Sequence, residues 1–252
     1  MSLSRQEAKA ALERAREIVE DPAYGTPPVD VIALAQRFGV RNIAPREMVE
    51  DGYVGRNRNG ELVIRYRSAN CLERNRFTIA HEIAHILIAA SRDIDVMEAK
   101  HRRGFDFEEI MANRIAAELL MPDVVLRELL HVKQPAWKSI LEMRTLFRVS
   151  TTALIRRILD LRDFAAVFVQ ADYPVKESPQ KFRCQLSGHG GFALSVHPRV
   201  AIVEMASCFE RGESPSLSVV AKSYHLVIPC AGRLMGQFGK PCYWFVGWEK
   251  WI

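Results

Sequence analysis

Apolar residues recur at helical spacing near the start of the chain. They occupy every third or fourth position from residue 12 to residue 19, behind a Ser4 and Glu7 pair that fits a capping box. A helix is therefore predicted from Ser4 to about Asp21. A second helix, VDVIALAQRF, follows Pro27-Pro28, and Gly39 suits the position after its end. The segments VRNI, GYVGR and ELVIRY then look like strands, and the turn residues 57–60 predict a hairpin between the last two.

A longer and more apolar helix is predicted from about Glu73 to Ala90. Aliphatic residues occupy almost every non-polar position, so this helix should be buried on most sides. The polar stretch 91–106 then indicates a loop or a frayed helix. Another helix is predicted from Phe107 to Met121, because Pro122 cannot continue it comfortably.

The middle of the apolar helix carries the strongest chemical signal, the H-E-x-x-H motif of His81, Glu82 and His85. Residues four positions apart share one helix face, so both imidazoles can bind one metal ion. Glu82 can lie beside the ion without binding it, which suits a general base. Three ionisable groups in so apolar a helix would cost several kcal/mol without partners, and a metal would remove that cost.

A catalytic zinc commonly has three protein ligands and one open position. The metzincin position, six residues after the second histidine, holds Ser91, so the third ligand must come from elsewhere. The spacing leaves Glu108, Glu109, His101 and Asp106 as alternatives. Helix periodicity favours Glu109 only modestly over Glu108 as the third ligand.

Two segments, RFTIAHEIAHILI and FEEIMANRIAAELLMP, resemble the ImmA/IrrE family of metallopeptidases over about residues 25–125. In that family, the H-E-x-x-H helix precedes a helix reading roughly E-x-x-A-N-x-x-A-x-x-L-L-M-P. Alignment on Ala112-Asn113 and on the L-L-M-P segment places the family's glutamate ligand on Glu109. Ile115 departs from the pattern, where phenylalanine is commoner, and this change in packing leaves the ligands untouched.

The resemblance implies a zincin-like, gluzincin-type peptidase that holds Zn²⁺, with Mn²⁺ as the alternative. His81, His85 and Glu109 would be the ligands and Glu82 the general base. Family members are cytoplasmic and relieve repression of stress or mobile-element genes by cutting, or triggering the cutting of, helix-turn-helix repressors. The substrate would then be a protein. His101, Tyr53, Tyr66 and Arg103 are unranked candidates for stabilising the charged intermediate, and an ordinary surface or packing role is the alternative for each.

The pattern changes after Trp137. An apolar stripe from residue 137 to 147, then Ser150 as an N-cap and a second amphipathic segment, predict a helix-turn-helix. The segments AAVFVQA, FRCQLS, GFALSV, RVAIVEM and CYWFVGW indicate a β-rich tail.

We therefore predict an α+β chain with three parts. Residues 1–128 would form the metallopeptidase-like domain, 129–163 the helix-turn-helix segment, and 164–252 a β-rich domain. Members of the radiation-response branch of the family place a GAF-like sensor domain in this last position.

The composition excludes several classes of protein. The 252 residues are 48% hydrophobic and 26% charged, as in globular proteins, and no apolar run reaches the roughly 18 residues of a membrane span. The charged, helical start does not resemble a signal peptide. The five cysteines (Cys71, Cys184, Cys208, Cys230 and Cys242) contain no C-x-x-C pair, so a disulfide framework is not expected. These features favour a cytoplasmic protein without a membrane anchor.

The net charge of +5 lies in the later half of the chain. Residues 131–164 hold seven basic and three acidic side chains, among them Arg144, Arg148, Arg156, Arg157 and Arg162. This segment motivates the alternative hypothesis, a DNA-binding regulator whose metal site is structural or sensory. Against it, a structural site has no need of a second carboxylate at Glu82. A third hypothesis, a small-molecule sensor, rests on Phe192, Tyr243 and Trp244 as the lining of an apolar pocket, for which core packing is an ordinary alternative.

Overall fold

A computed structural model describes residues 3–101, 106–133, 137–161, 164–172, 183–189, 216–221, 224–237 and 240–250. The described residues form helices and two β-sheets, which confirms the predicted α+β class. Among them, no helix is both long enough and apolar enough to cross a membrane.

Internal contacts divide the chain into two compact units. The first comprises Met1–Val125 and Arg144–Ser150, and the second comprises Leu126–Met143 and Thr151–Ile252. The predicted domain boundaries after residues 128 and 163 stay predictions.

The helices of the first unit match most of the sequence pattern. The capping box of α1 is present, with Ser4 and Glu7 exchanging hydrogen bonds. Gly39, after α3, takes the positive φ of 79° that glycine adopts readily. Helix α5 occupies part of the stretch predicted as a loop or frayed helix. The helices are α1 Arg5–Glu20, α2 Pro22–Gly25, α3 Val31–Arg37, α4 Leu72–Ser91, α5 Val96–His101 and α6 Asp106–Leu120.

The sheet of the first unit consists of β1 Val40–Arg46, β2 Gly52–Arg56 and β3 Leu62–Arg67, in the order β1-β3-β2. β1 pairs with β3 in parallel, and β2 pairs with β3 antiparallel. The predicted hairpin turn is present between β2 and β3, where Gly60 has a φ of 78°. β2 therefore forms an outer edge of this sheet.

Helix α4 is the centre of the first unit. It packs against α1, α3, α6, β2 and β3, and almost every residue from Thr78 to Ala89 is buried, as predicted. Gly52 permits the close approach of β2, because a Cβ there would overlap Thr78 Cγ2 and lie 2.9 Å from the carbonyl oxygen of Arg65. The packing brings the H-E-x-x-H motif, the edge strand and α6 together.

A buried carboxylate connects α1 with the end of α6. Glu118 is 1% exposed, and its Oε2 lies 3.3 Å from Arg16 Nε. Its Oε1 accepts a hydrogen bond from the backbone N–H of Asp123 at the start of α7 (Asp123–Val132). Arg16 also lies 3.5 Å from the Asp123 carboxylate. These contacts fix α6 against α1. The sequence analysis missed α7.

The chain between the sheets contains the predicted pair of helices, α8 Trp137–Phe147 and α9 Thr151–Asp160. The second unit contains a five-stranded antiparallel sheet in the order β5-β4-β8-β7-β6. The predicted segments GFALSV and RVAIVEM lie outside the described residues, and the sequence analysis missed β6 and β7. The strands are β4 Phe164–Asp172, β5 Arg183–His189, β6 Ser216–Ala221, β7 Tyr224–Gln237 and β8 Lys240–Lys250.

Candidate metal centre

The two histidines of the motif face each other from adjacent turns of α4. The Nε2 atoms of His81 and His85 are 3.1 Å apart, and the ring centroids are 4.8 Å apart. His85 is 3% exposed, whereas His81 lies nearer the surface. The i, i+4 spacing thus brings two imidazole nitrogens to one point.

Helix α6 adds a carboxylate to this point. Glu109 Oε2 lies 3.3 Å from His81 Nε2, and Oε1 lies 3.5 Å from His85 Nε2. The ligand atoms of the three residues are all within 4.8 Å of one another, and Glu109 is 49% exposed. Of the histidine, cysteine and acidic residues in the described part of the chain, only these three form such a group. The structure thus brings together the three residues predicted as ligands.

The opposite nitrogen of each imidazole faces an oxygen atom of α6. His81 Nδ1 lies 3.1 Å from Asn113 Oδ1, and His85 Nδ1 lies 3.6 Å from Glu108 Oε1. These acceptors favour a proton on each Nδ1, which leaves a lone pair on each Nε2. In this tautomer, two nitrogen lone pairs and a carboxylate oxygen would converge at one point. The group fits a divalent cation, and this donor set is one that catalytic zinc uses.

Glu82 lies on the same helix but does not belong to the group of three. Its side chain is 4% exposed, and Oε2 accepts a hydrogen bond of 2.6 Å from the backbone N–H of Val54 in β2. A buried carboxylate that accepts a backbone hydrogen bond is fixed in position. The edge strand thus fixes the carboxylate of Glu82, which follows His81 in the sequence.

The other predicted candidates have different surroundings. Glu108 faces His85 Nδ1 and not the point where the ligand atoms converge. The Tyr53 hydroxyl accepts a hydrogen bond from Arg46, and Tyr66 lies on the central strand β3. The candidates His101, Asp106 and Arg103 have side chains outside the described residues.

Sequence reasoning missed three contributors to the site. The Val54 N–H belongs to the main chain, so no side-chain motif identifies it. Asn113 served only to align the α6 motif, although its position four residues after Glu109 places it on the same helix face. Arg92, whose side chain is buried and lies 3.6 Å from Glu108, was not considered.

Comparisons with known proteins find a family domain that contains these residues. The profile of the IrrE N-terminal-like domain, Peptidase_M78, matches residues 35–159, which include both site helices. The radiation response metalloprotease IrrE of Deinococcus radiodurans is 33% identical over 96 residues, which are 37% of this chain and 29% of that relative. The match thus spans less than a third of the relative's length.

A solved structure described as a Mycobacterium tuberculosis transcriptional regulator superposes with a TM-score of 0.52. The alignment covers 94% of this chain and 75% of that one at 16% identity, so the likeness is one of fold. The matched domain and the relative identify residues 35–159 as a domain of the ImmA/IrrE family.

Proposed function

We propose that the protein is a zinc-dependent peptidase that hydrolyses a specific protein substrate in the cytoplasm. The observation that carries this proposal is the convergence of His81, His85 and Glu109, with the buried carboxylate of Glu82 on the same helix as both histidines. A structural metal site would need the three ligands and a fourth, but it would have no use for Glu82. Manganese is the alternative ion, since imidazole and carboxylate ligands also accept it.

In the proposed reaction, three residues hold the metal ion and a fourth transfers the proton. His81, His85 and Glu109 would hold the ion, which lowers the pKa of water and polarises a carbonyl group when bound. Glu82 accepts the proton of the attacking water and passes it to the amine that leaves. Because Val54 fixes one oxygen of Glu82, the carboxylate is oriented before the substrate arrives.

The substrate we propose is a helix-turn-helix transcriptional repressor whose cleavage releases stress or mobile-element genes. β2 lies at an outer edge of its sheet and contacts Glu82, so an extended peptide that pairs along β2 would pass the candidate site. Specificity for one protein would then depend on surfaces beyond this edge. The β-rich residues 164–252 are proposed as a sensor domain on the family pattern.

Cleavage of a candidate repressor tests the proposal directly. The full chain, stripped of metal and then supplied with zinc or manganese, is incubated with the repressor encoded nearest its gene, and fragments are followed by mass spectrometry. We expect one defined cut that needs the added ion and stops with a chelator. The absence of fragments, in a protein that binds one ion per chain, would contradict the peptidase assignment.

DNA binding is the second candidate function, and the helix pair α8 and α9 motivates it. Three residues separate the helices, and Arg148 there has a φ of 51°. The surroundings of two of the five arginines that motivated this hypothesis do not favour contact with DNA. Arg157 is buried, and Arg144 lies 3.7 Å from the carboxylate of Glu73. Arg148 and Arg156 are exposed, and Arg162 lies outside the described residues.

The salt dependence of DNA binding discriminates between the two candidates. DNA affinity falls as salt rises, and each phosphate contact contributes about −0.9 to the slope of log affinity against log salt concentration. A full-length chain that binds duplex DNA with a slope of about −4 or steeper would favour the regulator. Weak binding without such a slope would leave the peptidase as the function.

A further inference from the structure

Glu108, the residue before the candidate ligand Glu109, has a different partner at each carboxylate oxygen. Oε1 lies 3.6 Å from His85 Nδ1, and Oε2 lies 3.6 Å from a guanidinium nitrogen of Arg92. The side chains of His85 and Arg92 are almost completely buried, and that of Glu108 is largely buried. Glu108 therefore lies between a basic side chain and the outer face of a candidate metal ligand.

Arg92 is well placed to orient this carboxylate. It is the C-cap residue of α4, the helix that carries both histidines, and its Nε lies 3.9 Å from Glu7. Glu7 is itself held by Ser4 in the capping box of α1, and these hydrogen bonds lower the pKa of Glu7. A chain of charged contacts thus extends from the start of α1 to the candidate metal centre.

His81 has a corresponding partner on the same helix. Asn113 lies five residues after Glu108 and accepts a hydrogen bond from His81 Nδ1 through its amide oxygen. Both outer partners come from α6, which also supplies Glu109. One helix therefore supplies the carboxylate ligand and holds the outer nitrogens of both imidazoles.

We propose that Glu108 and Asn113 are positioning residues for the metal ligands His85 and His81, and that Arg92 positions Glu108. This inference rests on the proposed metal site. An acceptor at Nδ1 selects the tautomer whose Nε2 lone pair can bind an ion, and it fixes the plane of the ring. The distance of 3.6 Å between His85 and Glu108 exceeds hydrogen-bond length, and such contacts commonly shorten when a site is loaded.

Zinc affinity, measured by competition with a chromophoric chelator, tests the role of Glu108. Glu108→Ala removes the acceptor. Glu108→Gln keeps the volume, but Arg92 attracts the amide oxygen and leaves the NH₂ group facing Nδ1, which favours the wrong tautomer. We expect both variants to bind zinc about 10- to 100-fold more weakly than the unsubstituted protein, the usual cost of losing an outer partner.

Two further substitutions test the other members. Asn113→Leu removes the acceptor from His81 and should weaken zinc binding by a similar factor, about 10- to 100-fold. Arg92→Gln should weaken it less, because Glu108 remains. Arg114→Ala is the matched control, since Arg114 is exposed on the same helix and neighbours Asn113 in sequence. It should leave the affinity unchanged.

A spectroscopic measurement separates positioning from loss of structure. Cobalt(II) replaces zinc, and its visible absorption reports the geometry of the ligands. We expect Glu108→Gln to shift this absorption while the melting temperature of the metal-free protein stays that of the unsubstituted chain. Equal zinc affinity and an unchanged cobalt spectrum in Glu108→Ala and Glu108→Gln would overturn the inference.

The failure of this inference is distinguishable from the failure of the proposed function. If His85→Ala abolishes metal binding while the Glu108 variants retain full affinity, the site stands and the positioning role is wrong. If the unsubstituted chain binds no stoichiometric zinc or manganese, the proposed function fails, and the inference fails with it.

Discussion

The backbone N–H of Val54 lies 2.6 Å from Oε2 of Glu82, which joins the edge strand of a sheet to the glutamate of the H-E-x-x-H motif. Val54 is fully buried and pairs with Ile64 of β3, whereas its N–H points to α4. The strand that would align a peptide substrate thus also orients the proposed general base.

Glu82→Gln should keep the fold and the metal but abolish hydrolysis. The amide retains the size of the side chain and an oxygen for the Val54 N–H, yet it cannot accept a proton. We expect cleavage of the repressor to fall by at least about 100-fold, the contribution of a general base, with unchanged zinc stoichiometry. An active Glu82→Gln protein would remove Glu82 from the mechanism.

Val54→Pro should reduce turnover without loss of metal. Proline has no N–H and is tolerated at sheet edges where the N–H does not pair with the neighbouring strand. We expect roughly a 10-fold lower rate, since a misplaced catalytic group costs up to about 100-fold.

Val54→Ala is the control for this substitution, because it also loses buried volume but keeps the N–H. If the alanine variant loses as much activity as the proline variant, the hydrogen bond is not the cause.

The sequence specifies the candidate histidines much better than it specifies their partners. His81 and His85 follow from helical spacing alone. The choice of Glu109 over Glu108 needed the family resemblance, because adjacent helical residues differ by about 100° in direction. The rotation of α6 decides between them, and it is set by buried residues such as Met111, Ala112 and Ile115. Those contacts are tertiary and cannot be read from α6 itself.

The position of β2 against the site also could not be predicted from local sequence. Its strand character and hairpin turn were predictable from local pattern. Its position against α4 depends on Gly52, which lacks the Cβ that would collide with Thr78. Helix α7 was missed because Pro122 was taken only as the end of α6. Asp123 after this proline in fact starts a new helix, and Leu126 and Leu130 lie on its buried side.

The ion pair of Asp51 and Arg74 should make a pH-dependent contribution to the stability of the fold. Hydrogen bonds from Arg74, first, and from Asn70 hold the pKa of Asp51 below its ordinary value. A carboxyl group with a lowered pKa in the folded state stabilises the fold above its unfolded pKa, and this stability is lost as the pH falls through the folded pKa. Both side chains are about half exposed, so solvent screening keeps the effect below about 1 kcal/mol.

The measurement is urea unfolding of the Asp51→Asn variant between neutral and acidic pH. The variant should be less stable than the unsubstituted chain at about pH 7, and the difference should vanish near about pH 2. Glu47→Gln, at an exposed carboxylate, controls for the change in net charge. A difference that persists undiminished at the acidic end would show that the ion pair is not responsible.

The buried Glu118 carboxylate should be coupled to Arg16. Glu118 is 1% exposed and also receives the Asp123 N–H, so Arg16→Met leaves a buried charge without its guanidinium. Removing one partner of a fully buried pair costs about 3–5 kcal/mol. Because Arg16 is itself partly exposed, we expect about 1–3 kcal/mol in the free energy of unfolding. Glu118→Gln, which keeps an oxygen for Asp123, should cost about 1 kcal/mol.

A double-mutant cycle distinguishes this coupling from general damage to the α1–α6 contact. Once Glu118 is neutral, Arg16→Met no longer strands a charge, so the double variant should lose less than the sum of the two single losses. Residues in direct contact show interaction energies of about 0.5–3 kcal/mol in such cycles. Additivity within about 0.3 kcal/mol would mean that α1 is held to α6 by its apolar face alone. In that case Glu118 would serve the start of α7 and not the support of the helix that carries Glu109.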